Sequence, residues 1–113
     1  MIRHDPVVAE LDNARAILAK MLEADLDEAE IYRRQLDFAV LTRHDTGCSI
    51  AVDRSRAEPG AFDERVRGHV LAEARGHGKL WMMLQVYDGY LDDLELLNHA
   101  RFPDPATVRA MGR

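Results

Sequence analysis

The sequence predicts one α+β domain over residues 1–113, with an N-terminal helical hairpin packed on one face of an antiparallel sheet of four to five strands. Two observations predict this fold class. In the first third of the chain the apolar residues recur at intervals of three and four, which is typical of amphipathic helices. Beyond residue 38 they recur at intervals close to two, and turn-forming pairs such as Asp88-Gly89 divide them into consecutive short segments, which favours antiparallel hairpins. A chain of 113 residues is long enough to bury a core without disulfides or metals.

Two helices are expected before residue 38. Asp5-Pro6 offers an N-cap followed by proline at the first helical position, where its missing N–H leaves no hydrogen bond unmade. Asp25 and Glu28 stand in capping-box spacing, which predicts a second helix over residues 26–36. The first helix, over residues 6–23, should bury one stripe made of Val7, Leu11, Ala14, Leu18 and Met21.

A hairpin should follow the helices. Residues 38–43 and 48–53 are short apolar-rich runs on either side of Asp45-Thr46-Gly47, which predicts two strands joined by a turn. Residues 54–63 hold a proline and a glycine among charged residues and have no periodicity. We therefore expect a surface loop there.

A three-stranded meander and a terminal helix complete the expected fold. Residues 65–75 alternate small with mostly polar side chains, as a strand with two different faces does. Residues 80–87 and 90–98 follow, and glycine-containing turns at residues 76–78 and 88–89 separate the three segments. After the meander, Asp104-Pro105 repeats the helix-start pattern and predicts a short C-terminal helix.

The register of the last hairpin decides which side chains share a face. A two-residue loop at Asp88-Gly89 would set Leu84 opposite Asp93 and bury carboxylates, which is costly. A three-residue loop that includes Tyr87 avoids this burial, and we expect that register. It pairs Met82 with Leu94, Leu80 with Leu96, Trp81 with Glu95 and Met83 with Asp93. The core face then holds Val66, Val70, Ala72, Leu80, Met82, Leu84, Val86, Leu94 and Leu96. The opposite face holds His69, Leu71, Glu73, Trp81, Met83, Gln85, Leu91, Asp93 and Glu95.

Composition narrows the classes of function. The chain has 15 Lys and Arg against 20 Asp and Glu, and no basic block, which argues against nucleic acid or an anionic membrane as a partner. Its single cysteine, Cys48, excludes an intrachain disulfide, and charged residues interrupt the apolar N-terminal residues, unlike a signal peptide. We therefore expect a cytoplasmic protein. The high content of Arg and Ala is typical of a GC-rich bacterium.

The closing hairpin carries a family resemblance. Residues 80–105, LWMMLQVYDGYLDDLELLNHARFPDP, resemble the closing hairpin of small bacterial domains of unknown function with an Asp-Gly-Tyr-Leu-x-x-Leu-Glu signature. The resemblance implies an α+β domain and no particular activity. Gly47-Cys48-Ser49-Ile50 is similar to part of a Cys-Gly-Cys stretch in such domains, but the first cysteine is absent here. The signature residues are Asp88, Gly89, Tyr90, Leu91, Leu94 and Glu95.

Two groups of residues have side chains that are able to bind a metal, catalyse a reaction or bind a partner. His44, Asp45 and Cys48 form an H-D-x-x-C cluster, which would need one more ligand to complete a zinc site. A turn that contains a histidine beside a buried cysteine explains the same residues. The carboxylates expected beside Trp81 fit an ordinary solvated face, a partner-binding surface or acid–base chemistry. The terminal segment that carries Phe102 could instead cover Trp81.

We interpret the protein as a non-catalytic protein-interaction module. An immunity-type inhibitor of a basic toxin is the specific example that we consider. Such a protein needs only a rigid sheet, aromatic or Met anchors and complementary charge. The alternative is a small-ligand-binding or enzymatic domain that uses Trp81, Asp93 and Glu95. No cofactor, metal ligand or catalytic residue is assigned, and homo-oligomerisation is compatible with the sequence. The residues expected to bind the partner are His69, Trp81, Met83, Gln85, Asp93 and Glu95.

Overall fold

The computed structural model describes residues 6–25, 29–61, 66–74, 78–97 and 101–111. Two helices precede six strands, which confirms the α+β fold with an N-terminal helix pair. The predicted caps at Asp5 and Glu28 lie outside the described residues. The helices are α1 (Pro6–Asp25) and α2 (Ala29–Leu36), and the strands are β1 (Ala39–His44), β2 (Gly47–Val52), β3 (Val66–Ala74), β4 (Gly78–Tyr87), β5 (Tyr90–Leu96) and β6 (Val108–Met111).

All strands belong to one antiparallel sheet in the order β1-β2-β5-β4-β3-β6. Strands β3, β4 and β5 are consecutive neighbours, as the predicted meander requires. The first hairpin joins the meander because β2 pairs with β5, where Cys48 lies opposite Leu94. Within the described ranges, no helix combines the length and the apolar character needed to cross a bilayer.

The C-terminal segment differs from the prediction. Only Pro105–Thr107 is helical, as one 3-10 turn in which the Asp104 carboxylate accepts a hydrogen bond from Ala106 N at 2.9 Å. The chain then becomes extended at Val108 and forms β6 along the edge of β3. Pairing with that edge satisfies more backbone groups than another short helical turn would, because a strand edge presents a row of unpaired N–H and C=O groups. Within the described ranges the sheet therefore has six strands, where four to five were predicted.

One continuous core lies between the helices and the sheet. The α1 residues predicted to be buried are largely so, with Ala14, Leu18 and Met21 at 0% exposure, but Val7 is 49% exposed. Lys20 of α1 holds the terminal segment, since its ammonium group donates to the carbonyl oxygens of Pro105 and Val108. The core is formed by Ala14, Ile17, Leu18, Met21, Leu22, Tyr32, Leu36, Leu41, Cys48, Ile50, Met82, Leu84, Val86, Leu91, Leu94, Leu96, Phe102 and Val108.

The β4–β5 register is neither of the two considered from the sequence. Asp88 (φ 55°) and Gly89 (φ 82°) form a two-residue turn with both residues left-handed, so Tyr87 pairs with Tyr90. A β-bulge next to Gln85 then shifts the pairing by one residue. Beyond the bulge Leu84 lies opposite Leu94 and Met82 opposite Leu96, so the predicted pairs Met82–Leu94 and Leu80–Leu96 are wrong.

The bulge resolves the conflict that led to the wrong register. An extra residue in one strand changes which side chains share a face on either side of it. Leu91, before the bulge, therefore joins the core at 2% exposure, although it was predicted on the opposite face. Asp93 and Glu95, after it, remain on that opposite face. Met82, Leu84, Val86, Leu94 and Leu96 are buried as predicted, whereas the side chains of Val66, Val70, Ala72 and Leu80 lie outside the description.

Candidate functional site

The candidate site is the sheet surface on the side away from the helices, called the outer face below. Trp81 is 51% exposed on this face, and Met83 is half-buried beside it. The alternative in which the terminal segment covers Trp81 does not hold within the described residues. Phe102 is 3% exposed in the helix-side core, and β6 extends the sheet edge without crossing the outer face.

The corrected register sets the arrangement of the predicted site residues. Met83 lies opposite Glu95, and Gln85 lies opposite Asp93, so the predicted pairs Trp81–Glu95 and Met83–Asp93 are wrong by two residues. This displacement is an even number, so the residues keep their face. Trp81 is instead level with the residue after β5, where Leu97 N donates to Trp81 O at 2.8 Å.

The β3 side of the outer face is known by register alone. His69 pairs with Met83, and Arg67 pairs with Gln85. The predicted residue His69 thus has a position next to Met83, while its side chain lies outside the description. Arg67 gives the β3 side a basic position. Glu73 belongs to the same face of β3 by register and pairs with Lys79, so acidic positions of the outer face lie on both β3 and β5.

The carboxylates of Asp93 and Glu95 each have a polar partner. His44 Nε2 lies 2.7 Å from Asp93 Oδ1, and Gln85 Nε2 donates to Glu95 Oε1 at 3.3 Å. Thr46 N donates to His44 Nδ1 at 3.3 Å, so Nε2 is the ring nitrogen directed at Asp93. These contacts orient the two carboxylates. Among the residues whose side chains the structure describes, no Lys or Arg forms an ion pair with either carboxylate.

His44 is a site residue that the sequence did not assign to this face. It lies on β1, two strands away from β5, and only the β2–β5 pairing brings it to Asp93. Because β2 and β5 are far apart in the chain, no local pattern could reveal this contact. Ser49 completes the group as the residue opposite Asp93 on β2.

The H-D-x-x-C cluster does not form a site. Gly47 lies opposite His44 on the outer face, so the next residue, Cys48, points to the other side and is buried in the core. Burial, and secondarily the negative charge of Asp93, raises the pKa of the Cys48 thiol to about 12. A protonated, buried thiol is neither a nucleophile nor a metal ligand. Among the described residues, no group of three or more His, Cys, Asp or Glu side chains is placed to hold a metal ion.

Two concave regions lie away from the outer face. A cavity of about 360 Å³ opens between α2 and the loop after β2, with Ile31 and Phe38 in its wall. Another, of about 480 Å³, lies beside the start of α1 near Glu10 and Phe102. Neither is lined by an outer-face residue.

Comparison with known proteins gives no relative. No protein-family model, curated protein or solved structure matches this chain. The resemblance of residues 80–105 therefore contributes only the α+β fold class, and any function has to be argued from the outer face itself.

Proposed function

We propose that this protein is a non-catalytic cytoplasmic interaction module that binds its partner through the outer face. The observation that carries the proposal is Trp81, a large aromatic side chain left 51% exposed on a sheet whose other side is packed against two helices. Tryptophan is strongly enriched among the residues that dominate binding energy at protein interfaces. A rigid sheet also presents such an anchor without ordering a flexible segment on binding.

The partner class that fits this face is a basic protein. Glu95 lies opposite the apolar Met83, Asp93 lies opposite the neighbouring Gln85, and the chain has a formal net charge of −5. Complementary charge accelerates encounter and selects the partner, while the apolar anchor supplies most of the affinity. An immunity-type inhibitor of a basic toxin is the best example of a protein that works in this way.

Catalysis at the same residues is less well supported. An enzyme needs a concave pocket with converging polar groups, whereas the cavities described above lie elsewhere. A general base needs an available lone pair, but His44 directs one nitrogen to Asp93 and the other to Thr46 N. These observations favour binding over acid–base chemistry.

The experiment begins by capturing the partner from a lysate of cells that naturally produce this chain. The captured protein is then titrated with the wild type and with outer-face variants. Trp81→Ala should weaken binding by about 2 kcal/mol or more, as expected for a central anchor. Neutralising both carboxylates, in Asp93→Asn with Glu95→Gln, should chiefly slow association and flatten its salt dependence.

The matched control is Val8→Ala, which removes an exposed apolar side chain from α1, on the far side of the molecule. It should leave binding unchanged. All variants should melt close to the wild-type temperature, since the substituted side chains lie outside the core. Binding that survives both outer-face variants would show that the partner uses another surface.

A further inference from the structure

We propose that the cavity between α2 and the loop after β2 binds a small zwitterion with an apolar part, which is the chemistry of an apolar α-amino acid. The cavity has a volume of about 360 Å³, which lies at the lower end of the range of small-molecule sites. None of its lining residues belongs to the outer face, so this inference is independent of the proposed function.

The lining of the cavity combines an apolar patch with charges of both signs. The apolar side chains of Ile31, Phe38 and Ala57 are half-buried, whereas the charged lining residues are exposed. A small ligand can therefore bury an apolar part against the patch while its charged groups stay close to water. The charged lining residues are Arg34, Asp37, Arg56 and Glu58.

The loop that forms one wall of the cavity is held in place by hydrogen bonds. Tyr90 Oη donates to Ala57 O at 3.3 Å, and Gln35 Nε2 donates to Glu58 O at 2.9 Å. The other wall is formed by α2. A ligand therefore enters a site that is already formed, and binding does not carry the cost of ordering the loop.

Arg56 is the group for the ligand's carboxylate. Its guanidinium carbon lies 4.5 Å from the centre of the Phe38 ring, a distance at which the ring attracts and positions the cation. A guanidinium can still donate in its own plane to both oxygens of a carboxylate. Among the described side chains no carboxylate forms an ion pair with Arg56. Asp53, three residues earlier, directs its Oδ1 to Ser55 N and Oγ.

Asp37 and Glu58 are the groups for the ligand's ammonium. Neither forms an ion pair with any side chain that the structure describes, whereas Arg34 is paired with Glu30 at 2.8 Å. A simple anion would meet one unpaired guanidinium and two unpaired carboxylates, so repulsion would offset much of the attraction. A zwitterion carries both charges on neighbouring atoms and gives each sign an opposite partner.

The probe is L-leucine, titrated into the full chain and followed by amide NMR chemical shifts, which detect weak binding. Saturable shifts should be confined to α2 and the loop after β2. Two analogues each remove one charge, since isocaproate lacks the ammonium and isopentylamine lacks the carboxylate. Each analogue should bind at least about fivefold more weakly than L-leucine, as expected for the loss of one charge-assisted hydrogen bond.

Variants of the lining should affect the three ligands differently. Arg56→Gln should weaken L-leucine and isocaproate by about fivefold or more and leave isopentylamine unchanged. Asp37→Asn combined with Glu58→Gln should weaken L-leucine and isopentylamine without weakening isocaproate. The matched control is Arg33→Gln, which removes a guanidinium from α2 outside the lining and should leave all three affinities unchanged.

Three outcomes would overturn the assignment. They are isocaproate binding as tightly as L-leucine, equal losses in Arg56→Gln and Arg33→Gln, and L-leucine shifts that are absent or lie outside α2 and the loop. These variants leave the outer face intact, so each should still bind the captured partner with wild-type affinity. The proposed function can therefore fail or hold whatever the leucine titrations show.

Discussion

Gln35 offers the sharpest test of how this fold holds its hairpin turn. It is the one polar residue with no exposed surface among the buried residues described. Its amide nitrogen donates to the carbonyl oxygens of Glu58 and Gly89, both at 2.9 Å, and its amide oxygen accepts from Leu91 N at 2.9 Å. One side chain of α2 thereby joins the loop after β2 to the β4–β5 turn.

Replacing Gln35 with leucine keeps the volume and removes all three hydrogen bonds. The main loss should come from Leu91 N, since an unsatisfied buried N–H costs about 1–3 kcal/mol. Gly89 O retains a hydrogen bond from Gly60 N at 2.7 Å, and Glu58 lies on the exposed loop, where water replaces the lost donor. We therefore expect the free energy of unfolding to fall by about 1–3 kcal/mol.

Urea denaturation followed by circular dichroism measures this change. The matched control is Gln85→Leu, which removes one 3.3 Å hydrogen bond from a half-buried position on the outer face. It should change the free energy of unfolding by less than about 0.5 kcal/mol. If Gln35→Leu is equally mild and the denaturant slope is unchanged, the buried amide contributes nothing to stability and the reasoning is refuted.

Three further predictions concern the turn, the thiol and the two faces of the sheet. Gly89→Ala should cost at least about 2 kcal/mol of unfolding free energy, because φ is 82° and the new Cβ would lie 2.7 Å from a loop carbonyl oxygen. Asp88→Asn should cost under about 1 kcal/mol, since asparagine tolerates a left-handed backbone, and equal urea midpoints for the two variants would contradict this. Cys48, with its pKa raised from 9.0 to about 12, should resist a thiol reagent at about pH 8 until the chain unfolds; rapid labelling of the native protein would refute its burial. Because the protonated thiol is the form that the fold favours, its contribution to stability is complete below pH 9.0 and is lost as the pH rises toward 12. Leu84→Ala should cost about 3 kcal/mol and Met83→Ala under about 1 kcal/mol; similar costs in thermal melts would show that both sides of β4 are covered.

The helices and most strands could be predicted because their signals are local. The terminal helix could not, since Asp104-Pro105 begins a 3-10 turn as readily as an α-helix. What decides between them is the free edge of β3, which the terminal segment reaches only in the folded chain. A pattern within a few residues carries no information about that edge.

The β-bulge in the β4–β5 pair had a signal in the sequence, although neither of the two predicted registers included a bulge. Leu91, Leu94 and Leu96 are spaced by three and then by two, and all are buried. A strand with side chains alternating strictly between faces cannot bury both Leu91 and Leu94, whereas a strand with one extra residue can. The adjacent pair Asp92-Asp93 marks where that residue was added. Asp93 and Glu95 were nevertheless predicted on the correct face, because the β4–β5 register was wrong by two residues, an even number.

The pairing of β2 with β5 has a consequence for how the protein folds. The β1–β2 hairpin and the β3–β4–β5 meander each consist of contacts that are short-range in sequence. The β2–β5 pairing that joins them closes a long loop, and contacts of this kind form late in folding. His44 reaches Asp93 only across this ladder, so the finished acidic surface belongs to the last stage of folding. We expect a refolding chain to gain partner affinity with its slowest phase, after most secondary structure has formed. Stopped-flow circular dichroism compared with a binding signal would test this, and affinity that appears together with the earliest phase would contradict it. A partially folded molecule would then have its strands but would not bind its partner.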